Sequence, residues 1–348
     1  MMKMNRQKLL VFVLVVIVLG AAAFSIGFSM YKENEGSTSM ENQSFAVSGI
    51  RQISIVTDTP SVTIKPVQGD QVNLSWRAGE LVKFSAALTD GELVIEYRIQ
   101  TNWVKTMLLS PLSLDHYMLD VELPESYAGA LAVQTASGSV SVYGALNLAD
   151  LNLGSVSGAV DASDVASKAA VVIRSTSGSV HADAVLAAED IRLQSVSGSV
   201  DLRKATALGG VAVQTTSGKI TLTEVNAAIE LSVKTTSGSA EIGQAHCDAG
   251  MSFSSVSGSV RLSGVDCGEI TGKSVSGSQH FENLAANVIS LQSTSGSING
   301  TISGAKDDYS ISVHTVSGGS NLKSTDSGKA KTLTLSTVSG GVGVEFAQ

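Results

Sequence analysis

The sequence predicts an all-β chain: a parallel β-solenoid of about eleven coils of ~20 residues, preceded by an irregular β cap and an N-terminal transmembrane helix. Three observations predict it. A Ser-Gly dipeptide recurs at near-constant spacing through the later part of the chain. Apolar residues keep fixed, period-two offsets from each copy. The first 31 residues hold a basic start and then a charge-free apolar run.

The repeat comes first because it fixes the architecture. The dipeptide's glycine falls at Gly138, Gly158, Gly178, Gly198, Gly218, Gly238, Gly258, Gly277, Gly296, Gly318 and Gly340, with spacings of 20 six times, then 19, 19, 22 and 22. Three residues before each glycine stands Ser or Thr, from Thr135 to Thr337. Seven before it, all eleven residues are aliphatic or Met, from Leu131 to Leu333. Five before, only Gly272 is not apolar; two after, only Gln279 and Ser320; four after, only Gly300. Pairs at −7/−5 and +2/+4 alternate with period two, which is strand and not helix. Each repeat is therefore two short strands joined by a tight corner, with room for a third short strand before the next repeat. One such unit cannot bury its apolar row alone, whereas stacked coils make a continuous core. The glycine suits a corner that needs either positive φ or close backbone approach between coils. The Ser/Thr row would run as a hydroxyl ladder along the same corner. Eleven coils at about 4.8 Å make a rod roughly 50 Å long.

Residues 45–130 read as the β cap, leading into the solenoid proper at 131–348. This stretch holds Pro60, Pro66, Pro111 and Pro124, all the prolines of the chain, and both tryptophans, Trp76 and Trp103. A solenoid needs such a cap because a bare end coil exposes an unpaired strand edge. No separate cap is visible at the C-terminus. Either Phe346 covers the last layer or the end coil meets a partner, and weak end-to-end self-association is the expectation.

Residues 1–31 read as a transmembrane anchor. Lys3, Arg6 and Lys8 precede an uncharged run from Leu9 to Tyr31, long enough to span hydrocarbon, with Glu33 and Glu35 beyond it. That charge bias puts the N-terminus in the cytoplasm and the bulk of the chain outside. The rival reading is a signal cleaved after Ala21-Ala22-Ala23, which would leave a secreted protein. Residues 32–44 are polar and unpatterned and read as a flexible linker.

Composition narrows the function classes. A net charge of −8 argues against nucleic acid as a partner, which needs a basic face. Of the five histidines, His181 and His280 share one offset but lie five coils apart, roughly 24 Å, too far to share a metal. His246 beside Cys247 reads as a turn residue. Cys247 and Cys267 each follow their corner glycine by nine residues, so they stack in adjacent coils. The expected reading is two small buried thiols in one core row; a disulfide is the alternative for a chain outside the cell. The Ser-Gly-Lys-Ile string ending at Ile220 lacks the Gly and Ser/Thr of a phosphate-binding loop. Asp326-Ser327-Gly328 reads as a chance three-residue match to a protease loop. No serine stands in a nucleophile-elbow frame with a placed His and Asp. Asp161 and Asp201 share one face two coils apart, roughly 10 Å, just beyond an inverting carboxylate pair, and a solvated face is the expected reading. No catalytic, cofactor-binding or metal residue is assigned and no cofactor is expected; the eleven corner glycines are structural.

The alternating strands after residue 50, the Val-Glu-Leu-Pro-Glu step at 121–125 and the recurrent Ser-Val-Ser-Gly-Ser-Val coils resemble a bacterial β-strand-repeat family catalogued as "putative adhesin", of unknown function, whose members include LiaG-type membrane-anchored proteins of cell-envelope stress operons. The resemblance covers about residues 50–345. It implies the repeat fold and supplies no catalytic or ligand residue. With the anchor and the rod, the expected function is a non-enzymatic, membrane-anchored extracytoplasmic scaffold or interaction surface with an envelope protein or glycan partner. The alternative is a surface solenoid that binds or cleaves carbohydrate.

Overall fold

Val171–Ser175 turns Val171, Ile173 and Ser175 inward and leaves Arg174 exposed, as a half-buried strand must. The chain then rounds Ser175-Thr176-Ser177-Gly178 and enters Val180–Ala187. That second strand bends at Ala184, whose φ is +53°. Val180 and Ala182 point inward before the bend, Val185 and Ala187 after it, so the alternation slips by one and a third short face results. The computed structural model describes residues 39–79, 82–99, 117–325 and 328–347. The expected anchor at 1–31 and linker residues 32–38 lie outside the described residues, as do Trp103, Pro111, His116, Asp326 and Ser327. Among the described residues no helix is long and apolar enough to cross a membrane.

Successive coils stack in parallel and in register. Val171 pairs with Leu151 below and Ile191 above, and Val180 with Val160 and Val200. The −7 row is buried from Leu131 through Ile289. Each such side chain contributes about 1.5–3 kcal/mol on leaving water. The breaks in the apolar rows are complementary. Gly272 lies under the Phe253 ring, where a Cβ would strike Cζ, and Gly300 sits against Phe281, where a Cβ would strike the carbonyl oxygen and then the ring. Large and small residues in adjacent coils thus fill one layer. Gln279 is buried and donates through Nε2 to Ser274 Oγ at 3.0 Å and to the Gln292 carbonyl at 2.7 Å.

Of the two reasons offered for the corner glycines, close approach is the one that applies. None of the eleven has positive φ. A Cβ on Gly178 would overlap the Gly158 carbonyl, and the clash recurs from coil to coil. Positive φ belongs to the other bend, mostly at residues with side chains: Asp164, Ala184, Lys204, Glu224, Gln244 and Asn283. The hydroxyl ladder forms at the glycine corner. Ser175 Oγ accepts from Gly178 N at 2.9 Å and donates to the Gly158 carbonyl at 3.1 Å.

Within the expected irregular cap lies one regular coil. Gln52–Thr57 and Ser61–Val67 form a coil with the same offsets, Pro60 standing where the glycine would. Their parallel neighbours are the first Ser-Gly coil on one side and Glu92–Ile99 with Met118–Pro124 on the other. The coil that is first in sequence is therefore not outermost in space. Beyond it the pairing turns antiparallel: Val82–Thr89 lies on Glu92–Ile99, Gln71–Ala78 on Met118–Pro124, and Ser39–Ala46 on Gln71–Ala78. Residues 39–44, expected as flexible linker, are thus strand, because their main chain pairs along Asn73–Ala78.

The C-terminal end repeats the reordering. Lys331–Thr337 and Val342–Ala347 stack directly on Val288–Ser293 and Ile298–Ser303, and Tyr309–Thr315 lies outside them. The 22-residue spacings are the signature: two extra extended residues span more than one strand separation, so the chain can climb past a rung and return. A short 3-10 turn, Lys306–Asp308, makes the climb. This end also carries the cap that the sequence reading lacked. Thr325 exchanges main-chain bonds with Ile311, and the Asn321 side chain accepts from Val344 N and donates to the Val344 carbonyl. Ser320 breaks the apolar rule because it makes only an isolated bridge to Val342 and no full strand.

Candidate functional site

The second strands present one continuous polar face. Asp161, His181, Asp201, Thr221, Glu241 and Arg261 stand in register, each one rung from the next. Asp161 and Asp201 share the face with His181 between them. His181 Nδ1 lies 3.4 Å from Asp201 Oδ2. Arg203 grips the same carboxylate from Nε at 3.1 Å and Nη2 at 2.7 Å. Lys219 Nζ meets Glu241 Oε2 at 2.7 Å. Partly exposed pairs of this kind contribute at most about 1 kcal/mol each. They give Asp201 and Glu241 fixed partners, so these two offer hydrogen-bonding edges more than a free acid and base.

The Cys247–Cys267 rung differs from its neighbours. The two sulfurs form a disulfide across in-register parallel residues, with Cα atoms 4.7 Å apart. The preferred reading of two free thiols is therefore corrected: in-register placement brings the two residues close enough for their sulfurs to bond. In the neighbouring coils the row they join is small, with Ala187, Ala207, Ala227 and Ala286. His246 flanks the rung on the solvent side, 3.1 Å from Asp248 Oδ1 and 3.7 Å from Asp266 Oδ2. Among the described residues no group of three or more His, Cys, Asp or Glu side chains is arranged to hold a metal ion. His280 pairs with Glu282 at 3.2 Å, far along the rod from His181.

A cleft of about 440 Å³ at the N-terminal end went unnoticed in the sequence. Ser39 and Glu41, Trp76, Ala78 and Gly79, and Val82 and Phe84 supply its walls. The Trp76 and Phe84 rings stack at 3.6 Å, and Phe84 meets Tyr97 edge-on at 6.0 Å. Tyr97 donates its hydroxyl to the Arg77 carbonyl at 2.8 Å, and burial pushes its phenol well above the usual range. The legible signal was the crowding of aromatic residues between positions 76 and 97 in a chain only 5% aromatic. The eleven corner glycines each pack on the coil beneath.

A family model described as Toastrack DUF4097 matches residues 50–263 and 187–348. Two solved structures are similar. One, titled a "putative adhesin", is from Bacteroides fragilis NCTC 9343; it is 14% identical, covers 75% of this chain and 97% of its own, and has a TM-score of 0.40. The other, titled a "putative cell adhesion protein", is from Clostridium sporogenes ATCC 15579; it is 9% identical, covers 89% and 100%, and has a TM-score of 0.19. TM-scores this low carry no argument. No curated protein matches the chain.

Proposed function

The chain belongs to the Toastrack DUF4097 family, and from that premise we propose that it is a non-enzymatic, adhesin-like, membrane-anchored rod outside the cytoplasm that displays its faces to a cell-envelope partner. The observation that carries this reading is the Cys247–Cys267 disulfide. Structural disulfides persist in oxidising compartments and are rare in the cytosol. The charge pattern of residues 3–35 points the same way. A face on which Asp201 and Glu241 already hold basic partners is suited to binding through many weak contacts. The test is topology. A C-terminal tag should fractionate with membranes and be cleaved when intact cells meet protease. A tag that stays protected, or that appears in the medium, removes the anchored reading.

A second reading, saccharide recognition, is favoured by the in-register Asp161–His181–Asp201 row. Asp201→Ala should then lower glycan binding at least tenfold with the fold intact by circular dichroism. Unchanged binding would confine that row to solvation.

A further inference from the structure

Along the buried corner, Ser155, Ser175, Ser195 and Thr215 each bridge to the coil beneath, donating to the carbonyls of Gly138, Gly158, Gly178 and Gly198 at 3.0–3.1 Å. The bridging stops there. Thr235 Oγ1 is buried without a hydrogen-bond partner. Ser255 Oγ turns instead to the Gly258 carbonyl of its own coil. Ser274 Oγ donates upward to Ser293 Oγ. The carbonyl bridge returns only at Thr337, which reaches Gly296 at 3.3 Å.

Two further features weaken the same coils. The pairing register slips between Cys247 and Gly250, where the period shortens from 20 to 19. Gly258, Gly264, Gly268 and Gly272 crowd one coil, and each glycine costs extra conformational entropy to order. The disulfide falls in the middle of this stretch. Cys247 belongs to the coil of Gly238 and Cys267 to that of Gly258, and the bond joins the two coils whose corner hydroxyls, Thr235 and Ser255, make no bridge.

We propose that the Cys247–Cys267 disulfide is a redox-sensitive clamp that couples the N-terminal and C-terminal halves of the rod across the coils where the hydroxyl ladder lapses. In a stacked array stability is a sum of coil and nearest-neighbour terms, so one weak interface is where sub-global opening starts. A cross-link closing a loop of one coil limits how far the two coils can separate. A dithiol reductant would give up two electrons and two protons, yield two thiols and its own disulfide, and release the clamp. Both sulfurs are buried, so that exchange waits on local opening.

The test uses the full chain with Cys247 and Cys267 both changed to Ala. Alanine is what this core row carries in neighbouring coils, so the variant suits the row while removing the bond and its two sulfur atoms, and the dithiol arm below removes the bond alone. Amide exchange across 231–283 should rise about a hundredfold, equivalent to about 2.7 kcal/mol, while 140–207 changes less than about threefold. Urea unfolding should split from one transition into two. Exchange that rises evenly along the rod, or an unchanged single transition, overturns the proposal. If the double variant fails to fold, the same exchange map on wild type with and without a dithiol decides: a rise confined to 231–283 upholds the clamp, and an even or absent change sinks it.

Discussion

At the C-terminal end, the outward amide and carbonyl of Val344 are taken by the side chain of Asn321, and those of Ile311 by the main chain of Thr325. At the N-terminal end, the last strands are Val82–Thr89 and Ser39–Ala46, each paired on one side only among the described residues. One end is stopped by a short segment that mimics a strand edge. The other is extended by antiparallel strands around an aromatic cleft. The difference shows that stacking can be ended by spending hydrogen bonds on a few polar groups or by changing strand direction. It also argues against C-terminal end-to-end stacking, since an edge already bonded makes a poor template. Sedimentation at high concentration should show no association through that end.

The comparison breaks most readily in the regular coils between the ends. Gly178→Val should be the most damaging change, costing about 3 kcal/mol or more, because the new side chain must push Gly158 away and open the corner. Gly319→Ala, near the C-terminal end, has no atom within 4 Å of the added Cβ and should leave the melting temperature unchanged. Equal effects at the two sites would mean that coil stacking does not set the stability of the rod.

Next in size is the coupling between Phe253 and Gly272. Gly272→Ala alone should cost about 2 kcal/mol by overpacking, and Phe253→Leu alone about 1 kcal/mol. The double variant should recover part of the loss, giving a coupling of about 1 kcal/mol in a denaturation cycle. Strict additivity would refute the packing account of that break in the apolar row.

Asn321→Ala tests the C-terminal cap. It leaves the Val344 amide and carbonyl without their side-chain partner, and the loss should be about 1 kcal/mol. Faster exchange should be confined to Val344 and the outer strand. With the edge uncovered, the association absent from wild type should appear.

The period and the inward rows were legible because every coil obeys one pattern, so eleven copies average out local noise. The ends were not legible, for a physical reason. Pro60 occupies the glycine's place in a coil that matches every other offset, and a search keyed to Ser-Gly passes over it. The rung-skipping near residues 304–331 shows only as two extra residues in each of two spacings, which length alone does not translate into order. The disulfide was legible as stacking and not as a bond, because the bond depends on side-chain direction. The cleft depends on rings from separate antiparallel strands, a contact that no local pattern encodes.

The smallest expected effect tests the bend opposite the glycine corner, where the two kinds of residue can be exchanged. Ala184 holds φ +53° with a side chain, at a cost that glycine would not incur, so Ala184→Gly relieves strain while adding entropy to the unfolded chain. The two terms are of similar size and the net gain should be about 0.5 kcal/mol. Gly144 occupies the same bend in the first Ser-Gly coil at φ +95°, and its Cβ position lies 2.5 Å from Pro66 Cδ in the coil beneath. Gly144→Ala should therefore destabilise by about 1–2 kcal/mol, opposite in sign to its counterpart in the middle of the rod. Thermal denaturation of the two variants side by side is sufficient. Shifts of the same sign would mean that the bend is set by its neighbours in the stack and not by the φ preference of the residue that makes it.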